Sequence, residues 1–216
     1  MKEAAAAFAK LKNKDVVVTA GPTSQWRQSA LNDADLIYSG SETMMHDFVS
    51  MFDGRLKSED VYPLYLRPSA ILVRLGNPEK IGGIADLLKP GHRILVVNGA
   101  GQNGLWEDIA GRLGSIADVR ALRSNIAVVA ENSAQAKKAW TSDQTLDAWI
   151  IWNIWQREAP ELADLVEVEP SYRIYRDIGI AATERGKRNP LSAEFDEFLK
   201  AKEGADIFAK WGWITR

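Results

Sequence analysis

The chain has 216 residues, 46% of them hydrophobic and 26% charged, a formal net charge of −2 and no cysteine. The charge argues against a nucleic-acid binder, which needs a basic surface to release counterions, and the missing cysteines exclude a disulfide framework, a thiolate nucleophile and a Cys-ligated metal. No apolar run approaches the length of a membrane-spanning helix, and Met1-Lys2-Glu3 followed by alanines does not read as a secretory leader.

In chain order, residues 3–12 read as an Ala-rich helix with Phe8 and Leu11 on one face. Val16 to Ala20 is a β-branched run stopped by Gly21-Pro22, and reads as a strand. A helix over residues 25–32 and a strand over 34–38 follow. Ser41 is the expected N-cap of a helix from Glu42 to Met51. Residues 63–75 form a long extended stretch ended by Gly76-Asn77-Pro78. A short helix over 84–88, a strand over 93–97, a Gly-rich loop over 98–104 and a helix over 105–113 come next. Then come a strand over 126–130, a helix capped at Asn132-Ser133, and an apolar strand over 146–152. Residues 166–168 and 173–182 look extended, and 192–211 read as one helix. Short apolar strands alternating with helices imply an α/β fold with mostly parallel sheets.

Four strand-like runs stop at loops of small or hydroxyl residues and lead into helices: residues 21–24, 39–41, 98–104 and 132–133. Ligands of open α/β sheets sit at the carboxyl ends of strands, where helix starts offer unpaired NH groups and the positive end of a dipole. Such loops can hold an anion with little net charge, although each is also an ordinary cap or turn by composition. Gly99, Gly101 and Gly104 have dinucleotide-fingerprint spacing, but the position about 20 residues on that should be acidic falls among Arg120, Arg123 and Asn125. No Gly-Lys-Ser/Thr follows the loop, and no Gly-x-Ser-x-Gly elbow occurs. His46 and His92 read as structural or exposed, metal-ligand spacing is absent, and no cofactor is implied. Trp140, Trp149, Trp152 and Trp155 read mostly as core, with Trp152 a candidate for lining a cleft.

Taken in order, several segments resemble the periplasmic solute-binding proteins of the accessory colonisation factor C type, relatives of the molybdate- and sulfate-binding proteins. They are Gly21-Pro22-Thr23-Ser24-Gln25-Trp26, Ala34-Asp35-Leu36, Tyr65-Leu66-Arg67, Gly76-Asn77-Pro78, Gly99-Ala100-Gly101 with Gly104-Leu105-Trp106-Glu107-Asp108, Asn132-Ser133, Asp147-Ala148-Trp149-Ile150 and Trp211-Gly212-Trp213. The resemblance implies a two-lobed type II periplasmic-binding fold, each lobe a mixed, mostly parallel sheet flanked by helices. Lobe 1 would comprise 1–74 and 174–216 and lobe 2 residues 75–173, with extended crossovers near 64–74 and 173–182 acting as a hinge. It further implies an extracytoplasmic, periplasmic binding protein, not an enzyme, that holds a small oxyanion or a small phosphorylated or carboxylic acid in an interlobe cleft. Such a protein serves an ABC-type transporter or acts as a surface colonisation factor. Carried over by position, the ligand residues are Thr23, Ser24, Ser39 and Ser41 on one lobe, and Gly101, Gln102, Asn103, Gly104, Asn132, Ser133 and Trp152 on the other. Arg67 and Arg123 are candidates for pairing with a carboxylate or phosphate.

The chain departs from this pattern at its start. The family opens with a strand and a Gly-Pro-rich loop ahead of the helix that Ala4 to Phe8 resembles, and neither is present here. That strand would lie between residues 16–20 and 34–38. Those two strands are therefore expected to pair directly or to recruit a strand from another copy in a homodimer, since a gap would leave backbone groups unpaired. Two other functions share the scaffold. An effector-sensing domain of a regulator would need a DNA-binding module, for which 216 residues leave no room. An enzyme would need converging catalytic groups.

Overall fold

The computed structural model describes residues 1–216, Ala100 through its backbone only. In chain order the elements are α1 (Lys2–Lys12), α2 (Thr23–Asp33), β1 (Leu36–Ser39), α3 (Glu42–Met51), β2 (Tyr62–Val73), α4 (Ile84–Leu87), β3 (Ile94–Val97), α5 (Leu105–Ala110), α6 (Ile116–Asn125), β4 (Ile126–Ala130), α7 (Ser133–Ser142), β5 (Ala148–Trp152), α8 (Ile154–Glu158), β6 (Asp164–Glu167), β7 (Tyr175–Ala182), α9 (Pro190–Lys200) and α10 (Lys202–Lys210). The chain forms two compact units. Unit 1 comprises Met1–Leu66 and Arg176–Arg216, and unit 2 comprises Arg67–Tyr175. The chain passes between them twice, within β2 and at the start of β7.

Unit 2 is a sheet packed on both faces. β3 lies parallel to β4 and to β5, while β2 runs antiparallel to β5 and to β6. The strand period of two sends alternate residues to opposite faces. Ile94, Val96, Ile150 and Trp152 join one core cluster with Leu105, Ile109 and Leu122. Leu95, Val97, Trp149 and Ile151 join the other, with Ala136, Trp140 and Leu146. Strands covered on both faces read as continuous apolar runs, which is why this part of the fold was legible. Arg74 closes the end of β2. Its guanidinium donates to the carbonyls of Leu146, Trp140 and Asp143 at 2.7, 3.0 and 2.6 Å and lies 3.7 Å from the Trp140 ring centroid.

In unit 1, β1 pairs antiparallel with β7, Leu36 opposite Ala182. Ile37 and Ala181 pack there against Met45, Phe48 and Phe52, with Trp26 edge-on to Phe48. α1 is held by Phe8, whose ring meets Phe195 and Phe198 of α9 at 5.1 and 5.5 Å. Tyr65 and Trp213 flank Phe208 of α10.

The structure corrects several expectations. Residues 16–20 form no strand or helix, and Val17 is 89% exposed. They neither pair directly with β1 nor close the space beside it. Residues 16–20 and Leu36–Ser39 both line a groove of about 850 Å³. Direct pairing of the two segments is therefore not what this chain does, and the backbone groups of residues 16–20 lie in a solvent-open stretch. The closing helix is two helices, α9 and α10, because Ala201 adopts an extended conformation between them (φ −71°, ψ 167°). α6 and α8 were not anticipated. Only Leu122 and Asn125 of α6 are buried, so its apolar periodicity is faint.

Candidate ligand site

The site in unit 2 follows from topology. Parallel β4, β3 and β5 all end at one edge of the sheet, so the loops after Val97, Ala130 and Trp152 share that edge. Antiparallel β2 passes its middle through the same place, with Ser69 opposite Trp152, and so delivers Arg67. Asn98 N–H donates to the Ala130 carbonyl at 2.8 Å, laying the 98–104 loop against the 131–133 loop. Gly99 makes the approach possible, since a Cβ there would lie 1.9 Å from the Glu131 carbonyl oxygen. The consequence is direct contact between two sequence-distant candidates: Gln102 Nε2 donates to Ser133 Oγ at 2.7 Å. Gln102 is only 5% exposed, and its Oε1 has no hydrogen-bond partner among the described residues.

Ser133 therefore accepts from Gln102 and keeps its own proton for another acceptor. It also opens α7. The Asn132 side chain caps that helix by accepting from Gln135 N–H at 2.9 Å, and the Asn132 carbonyl accepts from Ala136 N–H. The N–H groups of Ser133 and Ala134 are left without a partner among the described residues, at the positive end of the helix dipole.

Trp152 is 1% exposed and belongs to the core. It acts on the site from beneath, since its Nε1–H donates to the Gly101 carbonyl at 3.2 Å and the Arg67 guanidinium stacks 4.8 Å from its ring centroid. Asn103 is exposed, and Gly104 turns the chain into α5 with φ +71°. Arg123 stands exposed in the last turn of α6, and no hydrogen bond or ion pair joins it to this cluster among the described residues. Gly99 was the residue the sequence reading undervalued. It was read as part of a nucleotide-like spacing, while its role is close packing of two loops.

Unit 1 carries its candidates at the ends of the two groove walls. Thr23 opens α2 after Pro22, with no side-chain cap, and Ser24 is exposed beside it. Ser39 and Ser41 are each 3% exposed. Ser39 Oγ donates to the Ser41 carbonyl at 2.7 Å, and Ser41 Oγ accepts from Met44 N–H at 3.3 Å as the cap of α3. These two hydroxyls are thus engaged in shaping their own loop. His46 is exposed, and His92 lies 3.9 Å from Asp147. Among the described residues no cluster of three or more His, Asp or Glu is arranged to hold a metal ion, and no helix is long and apolar enough to cross a membrane.

Comparison with known proteins identifies the family and the fold. The family model described as bacterial extracellular solute-binding protein matches residues 1–214. The structure of PEB3 with bound L-phospholactate is 32% identical, with a TM-score of 0.92 over 100% of this chain and 94% of that one. Peb3 from Campylobacter jejuni is 31% identical, with a TM-score of 0.91 over the same shares. The fold extends to the sulfate-binding protein SubI from Mycobacterium tuberculosis H37Rv, at 15% identity and a TM-score of 0.74 over 96% of this chain and 79% of that one. Among curated proteins no relative matches. With a family model spanning nearly the whole length and relatives above 30% identity, this chain belongs to the bacterial extracellular solute-binding protein family and has the type II periplasmic-binding fold.

Proposed function

We propose that the chain binds a small anion carrying a phosphate or carboxylate group, as a periplasmic binding protein that delivers its ligand to an ABC-type transporter and performs no chemistry on it. The observation that carries the reading is the paired Gln102–Ser133 contact at the start of α7. A hydroxyl with its proton free and two unpaired N–H groups offer three donors to an anion, at the strand ends where α/β sheets hold ligands. Arg67 adds a planar, permanently charged fork suited to bidentate pairing with a phosphate or carboxylate. That PEB3 is a relative whose structure contains L-phospholactate favours a small phosphorylated carboxylic acid over a bare oxyanion. Among the unit 1 candidates Thr23, at the start of α2, is the donor left uncommitted, because it caps nothing of its own.

The test is titration calorimetry with phospholactate, phosphoglycerate, citrate, sulfate and molybdate, with product analysis as a turnover control. Ser133→Ala and Thr23→Ala should each weaken binding by about 1.5–3 kcal/mol, the worth of a hydrogen bond to a charged group, while both variants remain folded at the assay temperature. Unchanged affinity for every anion in the double variant would overturn the reading. Conversion of any of these compounds would replace it with an enzyme.

A further inference from the structure

We propose that unit 1 carries a further anion site, apart from the candidate ligand loops, in which Arg55, Arg185 and Arg188 hold a phosphate monoester. The three side chains line a pocket of about 270 Å³ formed by the end of α2, the turn after α3 and the turn after β7. That volume lies just below the ~300–1,000 Å³ of pockets for drug-sized ligands, so the occupant is a small one. The pocket stands beside Ala34, ahead of β1, whereas Ser39–Ser41 lie at the other end of that strand. At ~3.3 Å per residue the two places are about 15 Å apart along the chain. No residue of this pocket belongs to the candidate ligand loops, so the two sites succeed or fail separately.

The walls are tied together without any ligand. The Thr183 hydroxyl donates to the Ala34 carbonyl at 2.7 Å and accepts from Gly186 N–H at 3.0 Å. Glu184 N–H donates to the Arg55 carbonyl at 2.8 Å. Gly186 permits the close approach, since a Cβ there would lie 1.9 Å from the Asp35 carbonyl oxygen. Two of the arginines are anchored through one nitrogen each. Arg55 Nη1 donates to the Leu31 carbonyl at 2.7 Å, and Arg185 Nε donates to Asp35 Oδ1 at 3.0 Å. A guanidinium has five N–H donors, so each keeps others for a ligand. Arg188 is exposed, and its guanidinium makes no hydrogen bond or ion pair among the described residues.

Charge and shape select the ligand class. Glu184 is the only carboxylate in the lining among the described residues. It is already held by Lys187 at 2.9 Å, with Lys57 at 3.8 Å, and neither lysine lines the pocket. Three cationic forks outnumber the two oxygens of a carboxylate. A phosphate monoester offers three terminal oxygens and a charge of about −1.5 to −2 at pH 7. Ala30, Leu31, Ala34 and Phe52 supply the apolar part of the lining, which suits a short carbon body on the phosphate.

The test is amide NMR of the whole chain during titration with glycerol 3-phosphate, with glycerol and with potassium chloride at matched ionic strength as controls. Sedimentation with phosphatidylcholine vesicles, with and without phosphatidic acid, shows whether the phosphate is borne by a lipid. Signals of residues 30–34, 55 and 183–188 should shift to saturation with glycerol 3-phosphate and with neither control. Arg188→Gln should weaken that binding about tenfold or more, the worth of a charge-assisted hydrogen bond, with an unchanged melting temperature and with any response of residues 131–134 retained. Sedimentation that needs phosphatidic acid and is lost in Arg188→Gln would assign the same site to a lipid headgroup. Shifts that never saturate, together with no sedimentation by phosphatidic acid, overturn the site. So does saturation of equal affinity in Arg188→Gln.

Discussion

At the scale of single residues, two positions of unit 2 carry packing that no local pattern announces, Gly99 and Arg74. Gly99→Ala drives a methyl group into the Glu131 carbonyl, so the two loops must separate. The expected cost is about 1–3 kcal/mol of stability, typical of forced overpacking. Loss of anion affinity should accompany it, because Gln102 moves off Ser133. A melting curve and a titration on the same preparation check both. Arg74→Met leaves three carbonyls without their donor and should cost at least about 2 kcal/mol in urea unfolding, a lost charged hydrogen bond being worth ~1.5–3 kcal/mol. Arg74→Lys should rescue little, because an ammonium lacks the planar fork that reaches three acceptors and stacks on Trp140. The arginine was legible in the sequence only as a charge at a strand end. Its partners come from residues 66–72 positions away, which no local pattern announces.

At the scale of elements, the caps at Ser41 and Asn132 were readable, whereas Ser115 caps α6 in the same way without having announced that helix. Ser41, Asn132 and Asn189 each accept from an N–H in the first turn, the signature that side-chain chemistry at helix starts predicts. Ser41→Ala should lower stability by about 1 kcal/mol, measured by denaturant midpoint, and should not unfold the chain. Residues 16–20 are the opposite case. Three consecutive valines favour a strand by composition, yet a strand is defined by what pairs with it, and here nothing does. Hydrogen exchange should separate the two situations: amides of residues 16–20 should exchange within seconds, and those of β3 orders of magnitude more slowly. Equal protection in the two segments would mean that the groove is closed in solution.

At the scale of the whole molecule, alkaline pH is the sensitive direction. Burial raises the pKa of Tyr38. Burial, and then the charge of Tyr62, raises that of Tyr65. Burial, and then the Asp118 carboxylate, raises that of Tyr172. A folded-state pKa above the unfolded one means that the folded state holds the proton more tightly. The stability contributed is therefore full below pH about 10 and is lost as the pH rises through the folded values. The Tyr65 hydroxyl also donates to the Leu199 carbonyl at 2.5 Å, a bond that ionisation removes. Melting temperature should thus fall above pH about 10, and Tyr65→Phe should flatten part of that fall. A melting temperature constant to the same pH in both forms would contradict this account.

The sequence by itself determined the α/β class, the positions of most strands and capped helices, and the ordered set of loops that resembles one binding-protein family. These are carried by local rules: apolar runs for strands buried on both faces, small and hydroxyl residues where helices begin, Gly and Pro where the chain turns. Tertiary structure decided the rest, because the rest depends on contacts between distant residues. It brought Gln102 to Ser133 across two loops, sank Trp152 into the core beneath Gly101 and Arg67, and left Arg123 on an exposed helix face. It divided the last helical stretch at Ala201. It also withheld strand structure from residues 16–20, since backbone hydrogen bonds in a sheet belong to a pair of strands and no single segment can encode its partner's presence.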